Sequence, residues 1–181
     1  PNPRLLMPWS LLEPQHEALG KDVGYVLNVP TGIQPSHVSE FLEEWEQNKP
    51  MSHPLLFQIP PATELSQQDR VIDLSLRMLN SWEVTQTGQM IQKPWTVSDR
   101  RNVVLMPDPI LGVFTSLSNR LCGRRVVKHM NIGRGMRCLI LDGKAGGMLA
   151  FWNESAADTQ TNLSMYLGDN PRWHDLWGNH L

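Results

Sequence analysis

Two stretches of the 181-residue chain carry residue types that could do hydrolytic chemistry. Pro107-Asp108 follows one β-rich run, and Asp142-Gly143-Lys144 follows another. Two carboxylates can hold a divalent ion that activates water, and a nearby lysine can steady the attacking or leaving oxygen. Between them lies a segment suited to an anionic substrate. No acidic residue occurs from Pro109 to Leu141, while Arg120, Arg124, Arg125, Lys128, Arg134 and Arg137 supply six positive charges beside His129. The whole chain has a formal net charge of -2. Outside this segment 10 basic residues face 18 acidic ones, a net of -8. Separation of sign on this scale points to an anionic partner.

The order Pro-Asp, then Asp-x-Lys, resembles the PD-(D/E)xK metal-dependent nucleases. That resemblance implies phosphodiester cleavage, with Asp108 and Asp142 as metal ligands and Lys144 as the lysine. The local signals read differently. Asp108-Pro109 has the form of a helix N-cap followed by proline at the first helical position, where its missing N–H costs nothing. A whole helix then separates the two motifs, whereas in those nucleases a hairpin joins them. Lys144 runs into Ala145-Gly146-Gly147, which is turn chemistry. If Asp108 is a cap, asparagine should serve there nearly as well.

Other catalytic patterns are missing from the sequence. There is no HxH or HExxH spacing, no nucleophile turn, and no glycine-rich phosphate loop of standard form. The six histidines (His16, His37, His53, His129, His174 and His180) show no ligand spacing, and His37 and His180 read as solvated. Cys122 and Cys138 are too few and too far apart for a zinc knuckle or a redox pair. The expectation is therefore a non-catalytic interaction domain or assembly subunit without a cofactor or bound metal. A metal-dependent phosphodiesterase using Asp108, Asp142 and Lys144 is the alternative.

The basic segment predicts contact with nucleic acid or another polyanion through phosphates. In an extended strand, alternation puts Arg124 and Lys128 on one face and Arg125 and His129 on the other. Arg134 lies between Gly133 and Gly135, which allow close approach to a phosphate. Base stacking is not expected, because no Trp, Tyr or Phe occurs from Thr115 to Ala150. A protein partner is predicted at the chain's ends. Seven tryptophans against two tyrosines is an unusual balance. Trp45 and Trp82 fall on helical stripes and belong to a core. Trp9, Trp173 and Trp177 lie in terminal segments, and Trp173, Leu176 and Trp177 have the i, i+3, i+4 spacing of an apolar edge laid into a groove.

The elements that must position these residues follow from periodicity. A strand is predicted over Asp22–Val29 and a helix over Pro35–Asn48, with Val38, Phe41, Leu42 and Trp45 on one stripe. A strand over Leu55–Ile59 and a helix from Ser66 to Val84 come next, then a loop over Gly88–Ser98 and a strand over Asn102–Met106. The helix after Asp108 stops at Gly123. Three β-runs follow at Arg124–Met130, Met136–Leu141 and Met148–Trp152, with glycine-rich connections, and a last helix over Ser155–Leu167. The fold class predicted is α+β: a single domain with a mixed sheet, a C-terminal-half antiparallel meander and about four helices. An N-terminal arm over 1–21 and a C-terminal tail over 169–181 flank the domain at 22–168. No run is long enough to span a bilayer, so no membrane partner is expected. No signal peptide is visible and the sequons at Asn153 and Asn162 are short enough to arise by chance, so an intracellular, cytoplasmic setting is expected.

Overall fold

A computed structural model describes residues 25–48, 55–59, 64–92, 94–97, 105–133, 135–154 and 164–181. The chain divides into two compact units, Pro1–Phe114 and Thr115–Leu181, each of which mixes helix and strand. The α+β class follows directly. No helix among the described residues is long and apolar enough to cross a membrane. Trp9 and the N-terminal arm lie outside the described residues, as does Arg134.

In the first unit, β1 (Tyr25–Asn28), β2 (Leu55–Ile59) and β3 (Gln89–Ile91) form a parallel sheet in that order. The register aligns Leu27 with Phe57 and Phe57 with Gln89. Parallel neighbours need long crossovers, and the helices α1 (Val38–Asn48) and α2 (Gln67–Val84) supply them. A short 3-10 turn, Pro35–His37, leads into α1. The stripe read from the sequence is the one that is buried: Val38, Phe41 and Leu42 cluster with Val29, and Trp45, Leu27, Ile33 and Val84 pack around them.

Helix α2 begins where its cap demands. The Ser66 Oγ accepts the Asp69 N–H at 3.2 Å and donates to the Asp69 carboxylate at 2.6 Å, so one hydroxyl caps the helix and holds the first-turn aspartate. Deeper in α2, Arg77 is 2% exposed. Its Nε donates to Asp73 at 2.7 Å, and its other nitrogens reach the carbonyls of Pro30, Thr31 and Ile33. The Asn80 amide donates to the Pro35 carbonyl. The chain between β1 and α1 is thus pinned to α2 by buried polar side chains, whose donors would otherwise be costly to bury.

Two features depart from expectation. Gly88–Ser98 is not wholly a loop: it holds β3 and also β4 (Trp95–Val97), which pairs antiparallel with β5 (Leu105–Pro107). Both are three-residue strands fixed by distant partners, so no local periodicity marks them. Parallel and antiparallel pairing, expected in one mixed sheet, occur in separate sheets among the described strands.

Helix α3 (Pro109–Leu121) starts as its sequence predicts, with the Ile110 N–H donating to Asp108 Oδ1 at 3.0 Å. It ends at Gly123, whose φ of 72° only glycine adopts cheaply. In the second unit β6 (Arg124–Gly133), β7 (Met136–Gly143) and β8 (Met148–Asn153) form the expected antiparallel meander. Leu117, Leu121, Cys138, Leu139, Leu141 and Trp152 are its buried apolar residues. The helix expected over Ser155–Leu167 is described only from 164 onward, and that part is not helical. Met165 and Tyr166 are exposed there.

Candidate interaction surface

The six basic residues meet different fates. Arg120 sits in the last turn of α3 and bonds the Ser116 carbonyl and hydroxyl at 3.2 and 2.9 Å. Its Nη2 reaches the Gly178 carbonyl at 3.3 Å. Arg124 donates to the Arg120 carbonyl at the end of α3, and to Gly146 O at 3.4 Å. Arg137 pairs with Glu154 at 3.0 Å, both side chains only 18% exposed, and lies 5.6 Å over the Trp152 ring. The Trp152 indole N–H donates to the same Glu154 oxygen at 3.2 Å. These three arginines cap a helix, tie down turns and close a half-buried cluster.

Arg125 and Lys128 remain exposed, and a β-bulge decides where they point. Val126 pairs with Leu141 and Lys128 with Ile140, which leaves Val127 as an extra residue in β6. The bulge shifts the alternation by one. Arg125 and Lys128 therefore share a face, and Arg124 and His129 share the opposite one, where simple alternation had predicted Arg124 with Lys128. Arg125 faces its cross-strand partner Asp142 at 3.6 Å, with side chains 76% and 54% exposed. Charges and a bulge on β6, an edge strand, also discourage pairing with another sheet.

Each acidic residue of the nuclease-like motif has a structural partner. Asp108 caps α3 and pairs with Arg70 at 3.0 Å. Asp142 is the cross-strand partner of Arg125, and Lys144 lies in the turn after β7. Among the described residues no group of three or more His, Cys, Asp or Glu could hold a metal ion. Both cysteines are free thiols, Cys122 exposed and Cys138 buried, and burial pushes the Cys138 thiol up.

The tail is ordered, but not as a helix. Its last nine residues form a small hairpin. The Gly178 N–H donates to the Asp175 carbonyl at 3.1 Å, closing a four-residue turn, and Gly178 has a φ of 92°. The Asp175 N–H donates to Asn179 O at 3.1 Å and the Leu181 N–H to Trp173 O at 3.0 Å. The Asp175 carboxylate accepts the Asn179 side-chain amide and backbone N–H, both at 2.8 Å. The side-chain bond to Asn179 is the largest cause holding that carboxyl below its ordinary value. Trp173, Leu176 and Trp177 are therefore spaced by a turn rather than by a helix, and they stand 50%, 37% and 48% exposed.

No family model, curated protein or solved structure matches this chain. Its site has to be read from its own geometry. The hairpin holds two residues that sequence reasoning set aside: His174 and His180 pair across it, ring centroids 5.4 Å apart and planes at 82°. The signal was present in Asp175-Leu176-Trp177-Gly178, an aspartate opening a turn and a glycine closing it, with a histidine one step outside on one side and two steps on the other.

Proposed function

We propose that this chain is a non-catalytic interaction module whose protein-facing surface is the hairpin Trp173–Leu181. One observation carries the reading. The hairpin is fixed by its own hydrogen bonds and by Arg120, yet Trp173, Leu176, Trp177 and Leu181 stay exposed, Leu181 at 74%. Large apolar side chains that are ordered but not buried are the usual material of interface anchors. Indole rings favour a partner groove that is apolar within and offers an acceptor to the ring N–H. Contact with an anionic partner, nucleic acid included, runs through the face shared by Arg125 and Lys128 and is the minor part of this reading. The working compartment is the cytoplasm, where a thiol as exposed as Cys122 stays reduced.

The test compares the full chain with a Trp173→Ser/Trp177→Ser variant. Proteins enriched by one and not by the other are purified and titrated against both. The expected result is a binary complex whose affinity falls about 30-fold or more in the variant, the size of one anchor residue. An unchanged affinity, with unfolding midpoints equal, would show that the hairpin is not the docking surface.

A further inference from the structure

We propose that His174 and His180 form a two-histidine site for a divalent transition ion, zinc or copper, on the outer face of the C-terminal hairpin. The backbone places them. Leu181 N–H donates to Trp173 O and Asp175 N–H to Asn179 O, so the ladder bonds lie on either side of the His174–His180 pair. That makes it a non-hydrogen-bonded antiparallel pair, the position where opposed Cα atoms approach to about 4.5 Å and side chains stand nearest. The ring centroids are 5.4 Å apart, and the rings meet edge to face at 82°. An ion bound about 2.0–2.1 Å from one nitrogen of each ring lies in the plane of both, so one of these exposed imidazoles turns out of the edge-to-face contact to bring both nitrogens to the ion.

The chemistry selects the ion. Imidazole nitrogen suits zinc and copper, while magnesium and calcium take oxygen ligands. Both histidines are exposed, so an ion can reach them, and further coordination positions stay open to water. Alternation along the hairpin puts Trp173, Asp175, Asn179 and Leu181 on the other face. The Asp175 carboxylate is already engaged by Asn179. The ion would therefore close the hairpin from one side and leave Trp173 and Leu181 displayed on the other. Because two ligands on one rigid turn act as a chelate, losing either should cost about 100-fold or more in affinity.

The experiment titrates the untagged full chain with zinc chloride, and separately with copper chloride, by calorimetry and by two-dimensional NMR. The expected result is one ion per chain, shifts concentrated in residues 173–181, and weakening on acidification because only neutral imidazole ligates. His174→Ala and His180→Ala should each lose the site, and His129→Ala should keep it. His180→Phe preserves an aromatic cross-strand contact while removing the ligand, so its loss of binding cannot be ascribed to an unfolded hairpin. Binding that survives both His174→Ala and His180→Phe, or no zinc or copper binding at this hairpin, would overturn the proposal.

Discussion

Arg77 and Arg125 carry the same charge and do different work. Arg77 is almost wholly buried and donates to Asp73, Pro30, Thr31 and Ile33. Replacing it with leucine leaves the Asp73 carboxylate buried without its counter-charge, a loss of the order of 3–5 kcal/mol. Urea unfolding followed by circular dichroism should show it as a large fall in midpoint. Arg125→Ala removes only an exposed pair with Asp142 and should change stability by about 0.5 kcal/mol or less in the same measurement. A midpoint shift of equal size in both variants would contradict this assignment. At this scale a run of basic residues is a poor guide to binding, since Arg120, Arg124 and Arg137 have local acceptors that spacing along the chain does not reveal.

Among the elements, α2 and α3 test how caps are built. Ser66→Ala removes the oxygen that accepts the Asp69 N–H and should cost about 1 kcal/mol. Asp108→Asn keeps the cap on α3 but gives up the ion pair with Arg70, both side chains largely shielded, and should cost about 1.5 kcal/mol. If Asp108→Asn is neutral in thermal unfolding, the pair with Arg70 contributes nothing and the capping role stands alone. The caps, the α1 stripe and the bounds of β2 were legible in the sequence because each is a local pattern. The short strands β3 and β4 were not, since only pairing with β2 and β5 defines them. The bulge at Val127 exchanged the faces of Lys128 and His129 relative to Arg124, and nothing in the type of Val127 announces it. The i, i+3, i+4 spacing of Trp173, Leu176 and Trp177 marked an apolar edge without showing that a four-residue turn creates it. The histidines were passed over because a pair six residues apart meets only once that turn exists.

At the scale of the molecule, the described residues of the basic segment present fewer exposed cations than its sequence promises. With Arg120, Arg124 and Arg137 engaged internally, the described residues of the segment leave Arg125 and Lys128 exposed to a polyanion. A plot of log affinity for duplex DNA against log salt should then be shallower than the slope of about -5 that all six basic residues would give. Fluorescence anisotropy at several salt concentrations measures it, and the steeper slope would mean the internal arginines are surrendered on binding. The topology of the two sheets has a different consequence, in time rather than in space. Strands β6, β7 and β8 are neighbours in sequence and need only tight turns, whereas β1, β2 and β3 must wait for helices to close their crossovers. Local hairpins form within microseconds, and non-local parallel pairing is slower by its loop-closure entropy. Pulsed hydrogen exchange during refolding should therefore protect β6–β8 amides before those of β1–β3. A ribosome delivers the halves in the opposite order, so the part made first is the part that has to wait.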